Sequence, residues 1–370
     1  MGGDGVERFG TLVVGGGQAG LAVGYHLAQA GRSFAILDAN GRVGDAWRTR
    51  WDSLRLFTPA RYDALPGMRF PASPGHMPTK DEVADYFDAY AERLELPVRT
   101  GVRVDGVELD GDGYVVTAGE QRFEVEDVVI ATGAHGSPRI PAFANELDRS
   151  IVQLHSAEYR NPSQLREGGV LVVGAGNSGA DISLELARTR PTWLSGRDPG
   201  HIPVHIDTFF ARNVIVRLIR FVGTHVLTMR TPLGRKVAKT LEHRGNPVVR
   251  VKPKELLAAG VIRVPKTVGV DAGRPVLQDG QVLDIANVIW CTGYRQDLSW
   301  VRRPIFGEDG LPLHERGVAT DEPGLYFVGL PFQYAATSDV IPGVSRDARY
   351  VVTRLLERAR KRGRAETLAA

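Results

Sequence analysis

The sequence predicts an α/β fold made of two Rossmann-like dinucleotide-binding domains, the second nested within the first. Two observations carry that prediction. The runs Gly15-Gly16-Gly17-Gln18-Ala19-Gly20 and Gly174-Ala175-Gly176-Asn177-Ser178-Gly179 both have the glycine spacing of a phosphate loop. Each follows a short apolar strand, Thr11-Leu12-Val13-Val14 or Val170-Leu171-Val172-Val173, and opens a helical pattern. In such a loop the first glycine makes the tight turn and the second lets the backbone approach a pyrophosphate. The third lets helix and strand pack closely. The ligand then meets free amide N–H groups and the positive end of a helix. One such loop also fits an ordinary glycine-rich turn; two in full strand–loop–helix context point to two dinucleotides. A chain that holds two dinucleotides is suited to moving a hydride between them.

The residue closing the next strand of each unit separates the two ligands. After the first loop, a helix from Gln18 to Ala30 stops at Gly31, and Ser33 to Leu37 reads as a strand ending in Asp38. A carboxylate there accepts the hydroxyls of an unphosphorylated ribose. After the second loop, a helix from Ala180 to Arg188 leads to Pro191-Thr192-Trp193-Leu194-Ser195-Gly196-Arg197, with a serine and an arginine but no acid. An arginine fork suits a 2′-phosphate, which a carboxylate would repel. The expected cofactors are FAD on the first loop and NADPH on the second. The plainer alternative for Arg197 is a solvated surface side chain.

At 370 residues the chain is long enough for two domains. The expected division is 1–141 with 287–370 for the FAD-binding domain and 142–286 for the NADPH-binding domain. A net charge of +3 is too mild to argue for nucleic acid. The single cysteine, Cys291, excludes a Cys-x-x-Cys redox pair, cysteine-rich metal sites and any internal disulfide. That usage suits a reducing cytoplasm, the expected location, and Cys291 itself reads as a small buried side chain. No signal peptide or membrane span is evident. His76, His201 and His205 match no metal-binding spacing, so no metal site is expected. The segment Thr208 to Met229 mixes Val214, Leu218, Ile219 and Phe221 with Arg212, Arg217 and Arg220. It reads as an amphipathic helix or helix pair packing as core or lid, with a membrane-surface face as the weaker alternative.

Within the first domain, an insertion carrying Trp47, Trp51, Phe57 and Tyr62 precedes a helix near Lys80 to Leu94. A hairpin from Val102 to Val125 turns near Asp112-Gly113, and a further strand, Val128-Val129-Ile130, ends in Ala131-Thr132-Gly133. The strand before Cys291 and the segment Gly324 to Leu330 are both expected to return to the first sheet. The tail from Arg346 to Arg362 is expected to be helical.

Taken in order, these pieces resemble the flavin-containing monooxygenases, the class B group that includes Baeyer–Villiger enzymes and the plant auxin-synthesis enzymes. The resemblance rests on the first loop with Asp38, Gly44-Asp45-Ala46-Trp47-Arg48, Ala131-Thr132-Gly133 and His155-Ser156-Ala157-Glu158-Tyr159. It continues through the second loop with Asp181, Ser195-Gly196-Arg197 and Cys291-Thr292-Gly293-Tyr294. The chain departs from the family pattern where Arg149 and Ile151 hold the Phe and Gly positions of its fingerprint. It departs again where Pro59 follows Thr58 and where Leu330 follows Gly329.

The resemblance implies a monooxygenase in which NADPH reduces the flavin and the flavin C4a-hydroperoxide oxygenates a small amine, sulfide or carbonyl compound. It implies that Gly15, Gly17, Gln18, Ala19, Gly20 and Asp38 hold FAD, with Trp47, Arg48, Val104, Ala131, Thr132, Gly133 and Gly329 along the flavin side. Gly174, Gly176, Asn177, Ser178 and Gly179 are expected at the NADPH pyrophosphate, with Ser195 and Arg197 at its 2′-phosphate. His155 and Arg48 are the candidate catalytic residues, His155 being weighed chiefly as a structural or conformational linker. The expected partners are the substrate and dioxygen. Self-association into a homo-oligomer is left open, and NADPH oxidation without oxygen transfer is the alternative activity.

Overall fold

The computed structural model describes residues 6–369, apart from His135, Asp207, Phe209 and Asp309. The first sheet is built around the strand Val6–Val14, which pairs in parallel with Phe34–Asp38 on one side and Gln121–Ile130 on the other. Val98–Thr100 extends the sheet beyond Phe34–Asp38, and Leu325–Phe327 pairs in parallel with the far side of Gln121–Ile130. Alternate residues serve opposite faces. Val13, Ile36 and Val129 pack under the helices Gln18–Gln29, Lys80–Arg93 and Ile341–Ala369. Leu12, Leu37, Val128 and Phe327 pack on the other side with Phe123 and Val301. Both faces are buried, as a parallel sheet requires.

The expected hairpin forms, with Gly106–Asp110 pairing antiparallel to Gly113–Ala118, and its expected end at Val125 proves continuous with Val128-Val129-Ile130 in one strand, Gln121–Ile130. Its first half pairs antiparallel with Gly113–Ala118, while its whole length lies along Val6–Val14. The helix Lys80–Arg93 starts at a reciprocal cap in which Thr79 accepts from the Glu82 amide and Glu82 accepts from the Thr79 amide. The C-terminal helix is longer than expected, running Ile341–Ala369.

The second sheet has the parallel order Ile262–Val264, Thr192–Ser195, Val170–Val173, Asn287–Trp290, Val152–His155. Here the expectation for the strand before Cys291 is corrected. Asn287–Trp290 lies between Val170–Val173 and Val152–His155 and never joins the first sheet. Its physical place is clear: Val288 and Trp290 fill one side of the second core, and Ile289 the other. The chain therefore returns only after Cys291. It crosses between the sheets through Ser137–Pro138 and Tyr294–Arg295, which pair antiparallel. Leu325–Phe327 does return to the first sheet, as expected.

Candidate functional site

The two loops have nearly the same backbone. Gly15 and Gly174 adopt φ of +110° and +112°, a region open to glycine. Gly17 and Gly176 precede their helices with φ, ψ of −80°, −167° and −75°, −167°. A Cβ on Gly20 would collide with the Gly15 carbonyl, and one on Gly179 with the Gly174 carbonyl. A Cβ on Gly17 or Gly176 would meet nothing within 4 Å, so these two glycines face open space. Neither helix carries a side-chain cap, which leaves first-turn N–H groups for an external anion. The strand that follows each crossover closes the loop from behind: Ala131 N donates to Val14 O at 2.8 Å and Cys291 N to Val173 O at 2.7 Å. Ala131-Thr132-Gly133 and Cys291-Thr292-Gly293 are thus equivalent pieces, with Gly133 and Gly293 at φ of +72° and +82°. Cys291 is half-buried rather than fully buried, and burial pushes its thiol up, away from reactivity.

The strand ends differ. Asp38 Oδ2 accepts from Gly16 N at 2.6 Å, and Oδ1 accepts from Asn40 N at 2.7 Å and Asn40 Nδ2 at 2.8 Å. A carboxylate has about four acceptor positions, so about one is left for a ribose hydroxyl rather than enough for both. Val104 follows Val102, whose N donates to Asp38 O at 2.9 Å, and lies half-buried beside that strand end. Ser195 does not fit its expected role. It is fully buried, its hydroxyl lies 2.8 Å from Pro265 O and 2.7 Å from Thr267 Oγ1, and it accepts from Thr267 N. The hydroxyl is consumed in fastening two strands and has nothing to offer a phosphate. Arg197 is exposed, as the 2′-phosphate reading requires. Arg263, which sequence reasoning missed, donates to Gly196 O at 2.9 Å and brings a second guanidinium to the same turn. Only the pairing of Leu194 with Arg263 across the sheet reveals it.

Asn177 acts through its side chain on its own protein, donating to Pro247 O at 3.2 Å and accepting from Val249 N at 2.9 Å. Ser178 is half-exposed beside it. On the first loop, Gln18 donates to Asp339 O at 2.9 Å, and a Cβ on Gly329 would lie 3.1 Å from Ala19. The loop, Gly329 and the segment ending at Asp339 therefore meet at one place.

Neither candidate catalytic residue has the geometry for proton transfer. Arg48 Nη1 donates to Val43 O at 2.6 Å, and its guanidinium pairs with Asp45 and Asp85, so it clamps its turn onto the helix Lys80–Arg93. Trp47 packs half-buried against the same core. His155 is fully buried. Ala157 N donates to its Nδ1 at 3.1 Å, which leaves the proton on Nε2, 3.0 Å from the Gly293 carbonyl. Burial holds its pKa below the ordinary value, and both ring nitrogens are committed to backbone. It is a neutral pin between the second sheet and the crossover. Tyr159 is buried beside it in sequence, with its hydroxyl 2.6 Å from Glu185, and Ile151 fills the second core.

The aromatic insertion joins the domains. Trp51 packs in the second domain's core, and Asp52 N donates to Arg160 O at 2.8 Å. It also holds an unexpected group. Asp63 is fully buried, accepts from Thr58 Oγ1 at 2.6 Å and has no partner for Oδ2 among the described residues. Burial pushes its carboxyl up to about 7.

Two sheets, each with a parallel centre carrying one of a pair of matched, uncapped phosphate loops, define a two-dinucleotide oxidoreductase. Residues 12–194 match the family described as pyridine nucleotide-disulphide oxidoreductase, although a lone cysteine cannot supply the dithiol of that title. An uncharacterized oxidoreductase CzcO-like of Geobacillus kaustophilus is 39% identical, over 94% of this chain and 98% of that protein. A probable indole-3-pyruvate monooxygenase, YUCCA3 of Arabidopsis thaliana, is 29% identical over 86% of this chain and 82% of that protein. The solved flavin-containing monooxygenase from Stenotrophomonas maltophilia superposes with a TM-score of 0.74 at 30% identity, covering 95% of this chain and 99% of that one. The chain belongs to the flavin monooxygenase family and is an oxidoreductase.

Proposed function

We propose that this chain is an FAD- and NADPH-dependent monooxygenase that places one oxygen atom on a small organic amine, sulfide or carbonyl compound. The observation that carries this reading is the pair of loops whose ligand-side glycines, Gly17 and Gly176, open on two sheets tied by one crossover. FAD fits the first loop, where Asp38 keeps an acceptor position and Gly17 leaves room for a pyrophosphate. NADPH fits the second, where Arg197 and Arg263 flank Gly196. Bound together, the cofactors supply a hydride and activate dioxygen, so that one oxygen atom enters the substrate and the other leaves as water.

The protein's own part is to bind, orient and exclude water. First-turn amides of Gln18–Gln29 and Asn177–Leu186 receive the pyrophosphates. His155, through Gly293, fixes the crossover on which the relative placement of the two loops depends. The segment ending at Asp339 walls the first loop, held there by the Gln18 side chain. The second reading, NADPH oxidation that ends in hydrogen peroxide, is favoured by Pro59, which has no N–H to offer a bound flavin. Turnover under isotopically labelled dioxygen, with amines, sulfides, ketones and 2-oxo acids in turn, separates the two. Labelled product with little peroxide supports the monooxygenase; peroxide equal to NADPH consumed, with every compound, overturns it.

A further inference from the structure

The segment of residues 208–241 is amphipathic in the reverse sense. It is helical from Ala211 to Val226, with wider turns at either end of Val216–Phe221. Three of its polar groups face the protein. Arg61 donates to Asn213 at 3.0 Å, Arg212 to Gly75 O at 3.3 Å, and the Arg220 guanidinium lies 4.8 Å from the Tyr62 ring centre. Its large apolar groups face outward: Phe210 is 62% exposed, Leu218 56% and Phe221 57%. Spacings of eight and three residues put these three on one side of the helix. Leu233, in the next helix, is 52% exposed. A surface helix normally turns its apolar stripe inward, and an exposed stripe on this scale marks something that covers it.

Charge says what that is. Residues 208–241 contain no aspartate or glutamate, while Arg217, Arg230, Arg235, Lys236 and Lys239 are exposed around the apolar groups. We propose that this face docks on an anionic lipid bilayer, with Phe210, Leu218 and Phe221 in the headgroup boundary and the cations on lipid phosphates. A second copy of the chain is the poorer occupant, because a two-fold contact would set these cations against their own counterparts with no acid within 208–241 to answer them. Among the described residues no helix is long and apolar enough to cross a membrane, so contact is with the surface. The docking segment is continuous with the site: Ala336 N donates to Leu227 O at 3.0 Å and Met229 N to Tyr334 O at 2.8 Å. That seats the face one segment away from the first dinucleotide loop.

Co-sedimentation of the full chain with vesicles tests this, using phosphatidylcholine alone and phosphatidylcholine mixed with phosphatidylglycerol. The chain is expected to pellet with the mixed vesicles, less so as salt rises, and to stay in solution with phosphatidylcholine alone. The triple variant Arg217→Glu/Lys236→Glu/Lys239→Glu is expected to bind about a hundredfold more weakly. Phe210→Ser/Leu218→Ser/Phe221→Ser is expected to lose about tenfold or more. The charge-reversed chain keeps every apolar side chain, so it decides the question even if the serine variant folds poorly. The proposal is overturned by failure to pellet with the mixed vesicles, or by equal pelleting of the charge-reversed variant. It is also overturned if sedimentation velocity shows a dimer that the serine substitutions dissociate.

Discussion

The two dinucleotide loops share a backbone and differ in what stands at the end of the neighbouring strand. Gly15 and Gly174 take almost the same φ, and Gly17 and Gly176 face the same kind of open space. On the proposed reading both loops take a pyrophosphate, a backbone function, and the two halves meet it with the same geometry. Beside that shared frame, the first half ends its strand in Asp38, bonded to Gly16 and Asn40. The second ends in a buried serine and brings two arginines to Gly196. On the proposed reading, ligand choice is a side-chain matter, settled within a few residues and separable from the fold.

That separation can be broken most severely at the third glycine of each loop. Gly20→Ala and Gly179→Ala each drive a Cβ into a loop carbonyl, at a cost of about 3 kcal/mol or more, since backbone must move. The expected outcomes differ. Gly20→Ala yields protein purified without flavin, whereas Gly179→Ala keeps its flavin and loses about a hundredfold in NADPH affinity. Absorbance spectra and NADPH titration read both. Next is Asp38→Ala, which strands the Gly16 amide and Asn40 and should weaken flavin retention by about tenfold to a hundredfold. NADPH affinity, measured on flavin-reconstituted protein, should be unchanged.

The buried ionisable groups sharpen the comparison through pH. Burial holds His155 below the ordinary 6.5, so the unfolded chain takes up this proton first and the folded state loses stability as pH falls through that value. His155→Gln should flatten the decline of Tm from neutral to mildly acidic pH, leaving the half-buried His26 and His314, also held below the ordinary value, to account for the remainder. Asp63 has the opposite sign. Its carboxyl rises from 3.8 to about 7 on burial, so the folded chain holds the proton more tightly and stability falls as pH rises across that interval. Asp63→Asn should raise Tm above pH 7 and leave it unchanged near pH 4. The smallest effect belongs to Ser195→Ala, which frees Thr267 N and should cost about 1–2 kcal/mol in denaturant unfolding. The KM for NADPH should stay the same, because the hydroxyl faces the sheet.

Much of this was legible in the sequence because it is periodic or local. The loops, the strand Phe34–Asp38 and the helix starting at Lys80 each carry their signal within a few neighbouring residues. The strand Asn287–Trp290 was misplaced for a physical reason. A four-residue strand buried on both faces has no polar alternation, so nothing in Asn-Val-Ile-Trp says which parallel sheet it completes. Ser195 looked like a phosphate ligand because a strand end offers two faces and the sequence does not say which one it takes. Arg263 was invisible because it reaches Gly196 from an adjacent strand. Asp63 was passed over because an aspartate between Tyr62 and Ala64 reads as an ordinary loop residue until its burial is known. The 208–229 segment was read as an amphipathic helix or helix pair, and its pattern did not say which face would turn inward: Arg212 and Arg220 turn toward the insertion.

The most direct test of the central claim is kcat/KM for NADPH against NADH, in the parent chain and in Arg197→Ala/Arg263→Ala. If side chains at the strand end choose the ligand, the parent prefers NADPH. The double variant should then lose about a hundredfold with NADPH while NADH is nearly untouched, as expected for two charge-assisted contacts to one phosphate. Equal losses with both cofactors, or a parent chain that prefers NADH, would contradict it.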